Sequence, residues 1–214
     1  MLKIYGNKIS FKVNKVRFVA NYLGLENELI MLNPMQGDMK TEEYLKINPV
    51  GKMPAIIDGD FKLSESGAII RYLAAKAKSD LYPEDIEKRA VVDQWIDFGT
   101  QHVGAALIKV FFNTVIYKVL GADKDEKSLA EGRDWAVNRF LPIVDQQLAE
   151  NEFLCGSKIS LADLNLLAYI EMVEPCQIDL SAFANISKWS NHLRSQDFYT
   201  QCHKNYSDVL MAMK

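Results

Sequence analysis

The sequence predicts two modules of different architecture, an α/β module followed by an all-helical one. Three observations carry this. Residues 1–77 alternate between strand-like and helix-like runs, residues 78–85 form a polar connection containing Pro83, and the periodic runs across residues 86–214 keep helical spacing. No internal repeat or low-complexity tract interrupts the pattern.

Leu2–Tyr5 is a short β-prone run. Val13, Val16, Ala20 and Leu23 then fall at helical spacing, and Gly24 ends that helix. Glu28–Leu32 reads as a second strand, and Thr41 is placed to cap a short helix through Leu45. Met53–Ile57 and Phe61–Leu63 read as strands joined by a hairpin turn at Asp58-Gly59-Asp60. Ser64–Ala77 is helical, with Ile69, Tyr72 and Leu73 on one side, so the order is β-α-β-α-β-β-α. Past the connection, Ile86–Leu120 reads as one long helix, bent and relieved at Gly99 and Gly104. Gly121–Lys127 is a charged link before a helix over Ser128–Glu150. Leu161–Val173 is apolar nearly all round, as for a helix enclosed at the centre of the second module. Helices over Asn185–Arg194 and Phe198–Met213 complete the bundle.

Composition narrows the function classes. The 214 residues are 49% hydrophobic and 25% charged, ordinary for a water-soluble globular chain. With 28 acidic and 25 basic side chains the net charge is −3, which gives no general reason to expect nucleic acid or an acidic membrane as partner. The N-terminus turns polar at Gly6-Asn7-Lys8 and lacks the apolar core of a signal peptide; no uninterrupted apolar run reaches a membrane span. Cys155, Cys176 and Cys202 are odd in number and far apart, which argues against a disulfide framework or a zinc site and fits a reducing cytoplasm.

Two segments carry chemistry. In Asn48-Pro49-Val50-Gly51-Lys52-Met53-Pro54-Ala55-Ile56-Ile57 a proline stands at the start of a strand, where it cannot donate to the sheet. A cis Met53–Pro54 bond would turn the Met53 N–H and carbonyl outward, ready to pair with an extended peptide as an added antiparallel strand. A plain loop entering the strand is the other reading. The second segment, Leu63-Ser64-Glu65-Ser66-Gly67-Ala68-Ile69-Ile70-Arg71-Tyr72-Leu73, puts a carboxylate, a hydroxyl and free N–H groups at a helix start. Such an end attracts anions: Ser66 is suited to a carboxylate and Glu65 to an ammonium, together matching an amino-acid head group. Ordinary capping, with Ser64 as N-cap and Glu65 near the dipole, is the alternative.

Taken together, Asn48-Pro-x-Gly-Lys-x-Pro followed by Glu65-Ser66-x-Ala68-Ile69-x-x-Tyr72-Leu73 resembles the glutathione site of cytosolic glutathione transferases. Gly156-Ser157-Lys158-Ile159-Ser160-Leu161-Ala162-Asp163 resembles that family's capping motif for a buried helix, with Ser160 and Asp163 forming a capping box. The resemblance covers essentially the whole chain. It implies a thioredoxin-like glutathione-binding domain over 1–77, a linker over 78–85 and an all-helical domain over 86–214 that supplies an electrophile pocket. It implies that Met53 pairs its backbone with the cysteinyl unit of glutathione at the turn made by Pro54, and that Glu65 and Ser66 hold the γ-glutamyl end. Lys52 and, more weakly, Lys40 approach the glycine carboxylate. A homodimer and a detoxifying role in the cytoplasm follow from the same resemblance, with glutathione as co-substrate and no metal or other cofactor.

Transferases of this kind hold the thiol as a thiolate. An unperturbed thiol has a pKa near ~8.5, so neutral pH leaves only a small fraction ionised; a donor or a helix N-terminus aimed at sulfur favours the anion. The donor belongs between the first strand and the first helix, in Tyr5-Gly6-Asn7-Lys8-Ile9-Ser10-Phe11-Lys12-Val13. Ser10 stands where the serine-type, theta- and phi-like classes place their catalytic serine, and the chain resembles a bacterial member of that type; cysteine-type bacterial members carry a thiol at a similar place, so a serine there argues against mixed-disulfide chemistry. Asn7 is the runner-up, helix capping is the competing role for Ser10, and Tyr5 reads as core. Arg17 reads as a salt-bridging or interface residue. His102, Phe111 and Phe112, with Val115 and Tyr117, are candidates for the electrophile pocket, against the alternative of plain core. The function expected is conjugation of glutathione to hydrophobic electrophiles, or a glutathione-dependent peroxidase or reductase reaction. The alternative is a transferase-like regulatory protein of translation or transcription, against which the intact Lys52-Met53-Pro54 and Glu65-Ser66 stand.

Overall fold

The computed structural model describes residues 1–211 of the chain. They divide into two compact units: Met1–Pro83 together with the described residues from Gln196 onward, and Glu84–Ser195.

The first unit runs β1 (Leu2–Gly6), α1 (Phe11–Tyr22), β2 (Asn27–Met31), two 3₁₀ turns (Pro34–Gln36 and Asp38–Lys40), α2 (Glu42–Leu45), β3 (Ala55–Asp58), β4 (Phe61–Ser64) and α3 (Ser66–Lys76). This is the expected thioredoxin-like order. The four strands lie in the order β2-β1-β3-β4. β1 and β2 are parallel, as a helical crossover through α1 requires, while β3 and β4 are antiparallel and closed by Gly59-Asp60. Strand register aligns three chain segments. Tyr5 at the end of β1 stands opposite Ala55 at the start of β3, which stands opposite Ser64 at the end of β4. The chain leaving β1, entering β3 and leaving β4 therefore meets at one end of the sheet.

Helix α1 is buried along nearly its whole length, from Phe11 to Ala20 with Lys12 excepted. The sheet and α3 cover part of it. The remainder is covered by the far end of the chain, through α11 (Asp197–Thr200) and the turn after it; α12 (Tyr206–Met211) follows. Phe18 packs edge-on to Phe198 at 6.0 Å and against Tyr199 at 5.3 Å between ring centroids. Arg17 Nη2 donates to the Cys202 carbonyl at 3.2 Å, and Asn21 Nδ2 to that of Phe198 at 3.2 Å. Two expectations change here. The segment expected as one helix over Phe198–Met213 is two short helices that belong to the first unit; Ala212 and Met213 lie outside the described residues. Arg17, expected in a salt bridge or interface, is buried and spent on a backbone carbonyl and on Asn14 Oδ1.

In the second unit, Ile86–Leu120 is a single helix of 35 residues. It comprises α4 (Ile86–Phe98), α5 (Ala105–Phe111) and α6 (Tyr117–Leu120), joined by wider π-helical turns at Gly99–Gly104 and Phe112–Ile116. By length and composition it is apolar enough to cross a membrane, although Asp93, Asp97, Lys109 and Lys118 interrupt it, so no uninterrupted apolar run of that length is present; core helices of water-soluble folds pass the same test. The glycines expected to relieve it serve close approach. A Cβ on Gly99 would lie 2.9 Å from Asn165 Nδ2, and one on Gly104 would lie 2.7 Å from the Tyr169 ring. Asn165 and Tyr169 sit one turn apart on α9 (Leu161–Ile170), all of whose residues are buried. The unit is completed by α7 (Glu126–Asp134), a π turn over Trp135–Phe140, α8 (Leu141–Glu150) and α10 (Ala184–Arg194).

The start of α9 is held by the expected capping box, to which the structure adds two partners. Asp163 Oδ2 accepts from the Ser160 N–H at 2.9 Å and its hydroxyl at 2.8 Å. Its Oδ1 accepts from the Leu154 N–H at 2.9 Å and from Trp189 Nε1 of α10 at 3.0 Å. Burial pushes the Asp163 carboxyl above its usual range, and these four donors pull it back. Asp163→Ala strands several buried donors at once and is expected to destabilise the protein by about 2–4 kcal/mol, measured as the shift in urea unfolding.

Candidate active site

The turn before β3 is built by Asn48 and Tyr44. Buried Asn48 donates through Nδ2 to the Lys52 carbonyl at 2.5 Å and accepts from the Val50 N–H at 3.2 Å. The Tyr44 hydroxyl donates to the same Lys52 carbonyl at 2.6 Å. Gly51 sits at φ +65°, where a Cβ would also meet the Met39 carbonyl at 3.0 Å. The Met53–Pro54 bond is cis, as one of the two readings had it. With the Lys52 carbonyl turned inward and pairing with β1 beginning only at Ala55, the Met53 N–H and carbonyl have no hydrogen-bond partner among the described residues. An extended peptide can pair there.

At the neighbouring strand end, Glu65 rather than Ser64 precedes α3. It adopts φ +67°, uncommon for a residue with a Cβ, and makes no side-chain cap bond. Ser64 is the last residue of β4, so it does not cap the helix. The left-handed turn swings the chain sharply from strand to helix. It leaves the Glu65 side chain exposed and puts buried Ser66 at the first helical position, beside N–H groups that have no intrahelical acceptor.

The loop after β1 completes the arrangement. Ser10 is the N-cap of α1, its Oγ accepting from the Val13 N–H at 3.4 Å. Accepting uses an oxygen lone pair and leaves the hydroxyl hydrogen to be donated, so capping and donation to sulfur are compatible. Asn7 braces the loop, its Nδ2 donating one hydrogen to the Leu32 carbonyl at 2.9 Å and its Oδ1 accepting from the Ile9 N–H at 3.2 Å. Tyr5 packs in a small cluster with Leu32, Tyr44, Ala55 and Met53, in line with a core role.

Comparison with known proteins gives the family. Residues 1–75 match the family model for the glutathione S-transferase N-terminal domain, and residues 106–197 the one for its C-terminal domain. The chain is 33% identical over 191 residues to glutathione S-transferase D7 of Drosophila melanogaster, covering 88% of this chain and 82% of that one. The chain belongs to the glutathione S-transferase family. It is also 37% identical over 151 residues to glutathione S-transferase F10 of Arabidopsis thaliana, covering 69% of this chain and 70% of that one. Among solved structures it is similar to the theta class glutathione S-transferase of Xanthomonas axonopodis pv. citri with glutathione bound, at a TM-score of 0.86 and 27% identity, covering 94% of each chain.

The other expected site residues of this transferase fall into three groups. Lys52 and Lys40 are exposed, Lys40 closing the 3₁₀ turn over Asp38–Lys40. Within the helical unit, His102 is exposed and its ring lies in tilted contact with Phe98 and Phe140 at 5.3 and 5.2 Å. Phe112 is 41% exposed and lies 6.3 Å from Tyr117. Phe111, at 3% exposure, is spent on the core of that unit. The three cysteines are free thiols, and burial pushes Cys155 and Cys176 up to about 11, away from nucleophilic use at neutral pH.

Sequence reasoning missed Asn48 and Tyr44 as builders of the turn, although Asn48 opens the motif. It also missed Lys15, a charged residue of α1 that is 1% exposed. Burial, with repulsion from Lys12 and Arg71 outweighing attraction by Glu65, lowers its pKa from the ordinary 10.5 to about 7. Between about pH 7 and 10.5 the folded state has released this proton while the unfolded chain keeps it, so the Lys15 contribution to stability rises with pH. Wild type is expected to gain stability relative to Lys15→Met as pH is raised from 7 to 10, read from denaturant midpoints of the two proteins.

Proposed function

We propose that the convergence of three segments at one end of the sheet forms the glutathione cradle of this transferase. The reaction is attack of the glutathione thiolate on a hydrophobic electrophile. Met53 pairs its backbone with the cysteinyl unit, Glu65 takes the γ-glutamyl ammonium and Ser66 its carboxylate, and Lys52 and Lys40 approach the glycine carboxylate. The observation that supports this reading is the register Tyr5–Ala55–Ser64, which brings the chain leaving β1, entering β3 and leaving β4 to one end of the sheet.

Ser10 donates its hydroxyl hydrogen to the sulfur, and the N-terminus of α1 adds positive potential there. Both favour the anion over the thiol, so the thiolate fraction at neutral pH rises. The sulfur then bonds to the electrophilic carbon, and the leaving group departs with its electron pair. This chemistry asks for no metal or redox cofactor. His102 and Phe112, exposed aromatic side chains of the helical unit, are carried forward as contacts for the electrophile. A glutathione-dependent peroxidase or reductase reaction uses the same thiolate, and a cytoplasmic homodimer is the assembly we expect.

Ser10→Ala is expected to lower conjugation of a generic aryl halide by ~10–100-fold with little change in glutathione affinity, since the donor acts on the developing anion. Wild-type turnover together with an unshifted thiol pKa in that variant would move the role away from Ser10. A second test addresses the cradle: Glu65→Ala is expected to raise the KM for glutathione about tenfold or more, as loss of a charge-assisted contact does.

A further inference from the structure

We propose that Tyr206, near the far end of the chain, is a positioning residue for Ser10. The inference rests on the reading of Ser10 as the thiolate's donor. The Tyr206 hydroxyl donates to the Ile9 carbonyl at 2.6 Å, across 197 residues of sequence and within one compact unit.

The geometry of the peptide group gives this bond its consequence. The Ile9 carbonyl and the Ser10 N–H belong to one planar unit, with little freedom of its own. The Ser10 N–H donates to the Asn7 carbonyl at 3.0 Å, so the plane is pinned at its hydrogen end by the loop and at its oxygen end by Tyr206. Two fixed points on opposite edges set the tilt of the plane, and through φ of Ser10 they set the direction of its Cβ and Oγ. The neighbouring Lys8 carbonyl is held in turn by Asn14 Nδ2 at 3.0 Å, and the Ser10 carbonyl by the Val13 and Asn14 N–H groups at 2.8 and 2.9 Å. These other anchors of Lys8, Ile9 and Ser10 come from nearby in the sequence, between Asn7 and Asn14. Tyr206 supplies the long-range one.

The tyrosine is built to hold still. It is 2% exposed, and its ring lies 6.0 Å from that of His203, which packs on Phe18 of α1 at 5.9 Å and on Tyr199 at 4.9 Å. These rings keep their packing in Tyr206→Phe, so that variant removes a hydroxyl and little else. Without it the Ile9 carbonyl must find another donor, and the plane is free to rock about the remaining anchor. A donor shifted by a fraction of an ångström still binds glutathione but serves the anion less well.

The test is a double-mutant cycle. Wild type, Tyr206→Phe, Ser10→Ala and the double variant are assayed with glutathione and an aryl halide from pH 5.5 to 9, with thermal unfolding recorded for each. Tyr206→Phe is expected to lower kcat about 3–10-fold, to leave the glutathione KM within about twofold, and to move the thiol limb of the pH profile upward. The limb's position does not depend on how much protein is folded, so a loss of stability cannot imitate the shift. The double variant is expected to lose no more than Ser10→Ala alone, because the tyrosine acts through the serine. A wild-type pH limb in Tyr206→Phe, or losses that add in the double variant, overturns the inference while leaving Ser10 in its role. Wild-type behaviour of Ser10→Ala by itself overturns the reading of Ser10, and the inference with it.

Discussion

The pairing of Tyr5 with Ala55 and of Ala55 with Ser64 is the constraint on which the site depends. Three stretches far apart in sequence are brought to one edge only because these rows coincide. A slip of one residue in β3 would turn Ile56 from the core to the opposite face and carry Met53 along the edge away from Glu65. The slip is resisted from both sides. Ile4 and Ile56 are fully buried opposite one another, and the two-residue connection at Gly59-Asp60 leaves β4 no slack. The same apolar contacts that stabilise the sheet thus fix the spacing of the chemistry.

Within that frame, polar side chains divide between bracing and binding. Asn48, Tyr44, Asn7 and Asn14 all spend hydrogen bonds on main-chain groups of the loop after β1 and the turn before β3, and Asn7 also on the Leu32 carbonyl past β2. What they leave over is a small set of groups that face outward: the Met53 backbone, the Ser10 hydroxyl hydrogen and the first N–H groups of α3. Loops held this way need not reorganise when an anion forms beside them, and preorganised dipoles cost the reaction little at that moment.

Much of this was legible in the sequence, and the parts that were not share a cause. Periodicity located the strands, the first helices and the buried α9, because those elements bury one face or all of it with apolar residues. The motifs from Asn48 and from Glu65 marked the cis turn before β3 and the start of α3 on which the proposed cradle rests, because few residue types can make those turns. Helix α1 misled. Arg17 reads as a salt-bridging or interface residue, yet it is buried and its head is held by a backbone carbonyl and Asn14, while Lys15, which no pattern singles out, is enclosed at the cost of a lowered pKa. No local pattern announces that the chain's end returns to cover this helix. For the same reason the segment after Gln196 was assigned to the wrong unit, and Glu65 was not expected in a left-handed conformation that only the strand-to-helix turn demands. Phe111 and Phe112 are adjacent and chemically identical; which one is buried depends on the helix's rotation, which a widened turn at Phe112–Ile116 alters.

The two helices that open at the cradle also share an electrostatic trait. Most helix starts gain about 0.3–1 kcal/mol from an acidic residue in the first turn. Helices α2, α4, α7 and α9 each have one, and α10 borrows Asp145, whose Oδ1 accepts from the Asn185 and Ile186 N–H groups at 3.0 Å each. Neither α1 nor α3 has an acid in its first turn; α1 carries Lys12 there, and Glu65 ahead of α3 does not bond to the helix's N–H groups. Carboxylates in those turns would stabilise the helices and cancel the potential that attracts an anion. Their absence leaves the positive ends of two helices uncompensated, as the proposed binding of a thiolate and a carboxylate there requires. The modest loss of local stability is offset by the buried surroundings of α1 and by the sheet beneath both helices.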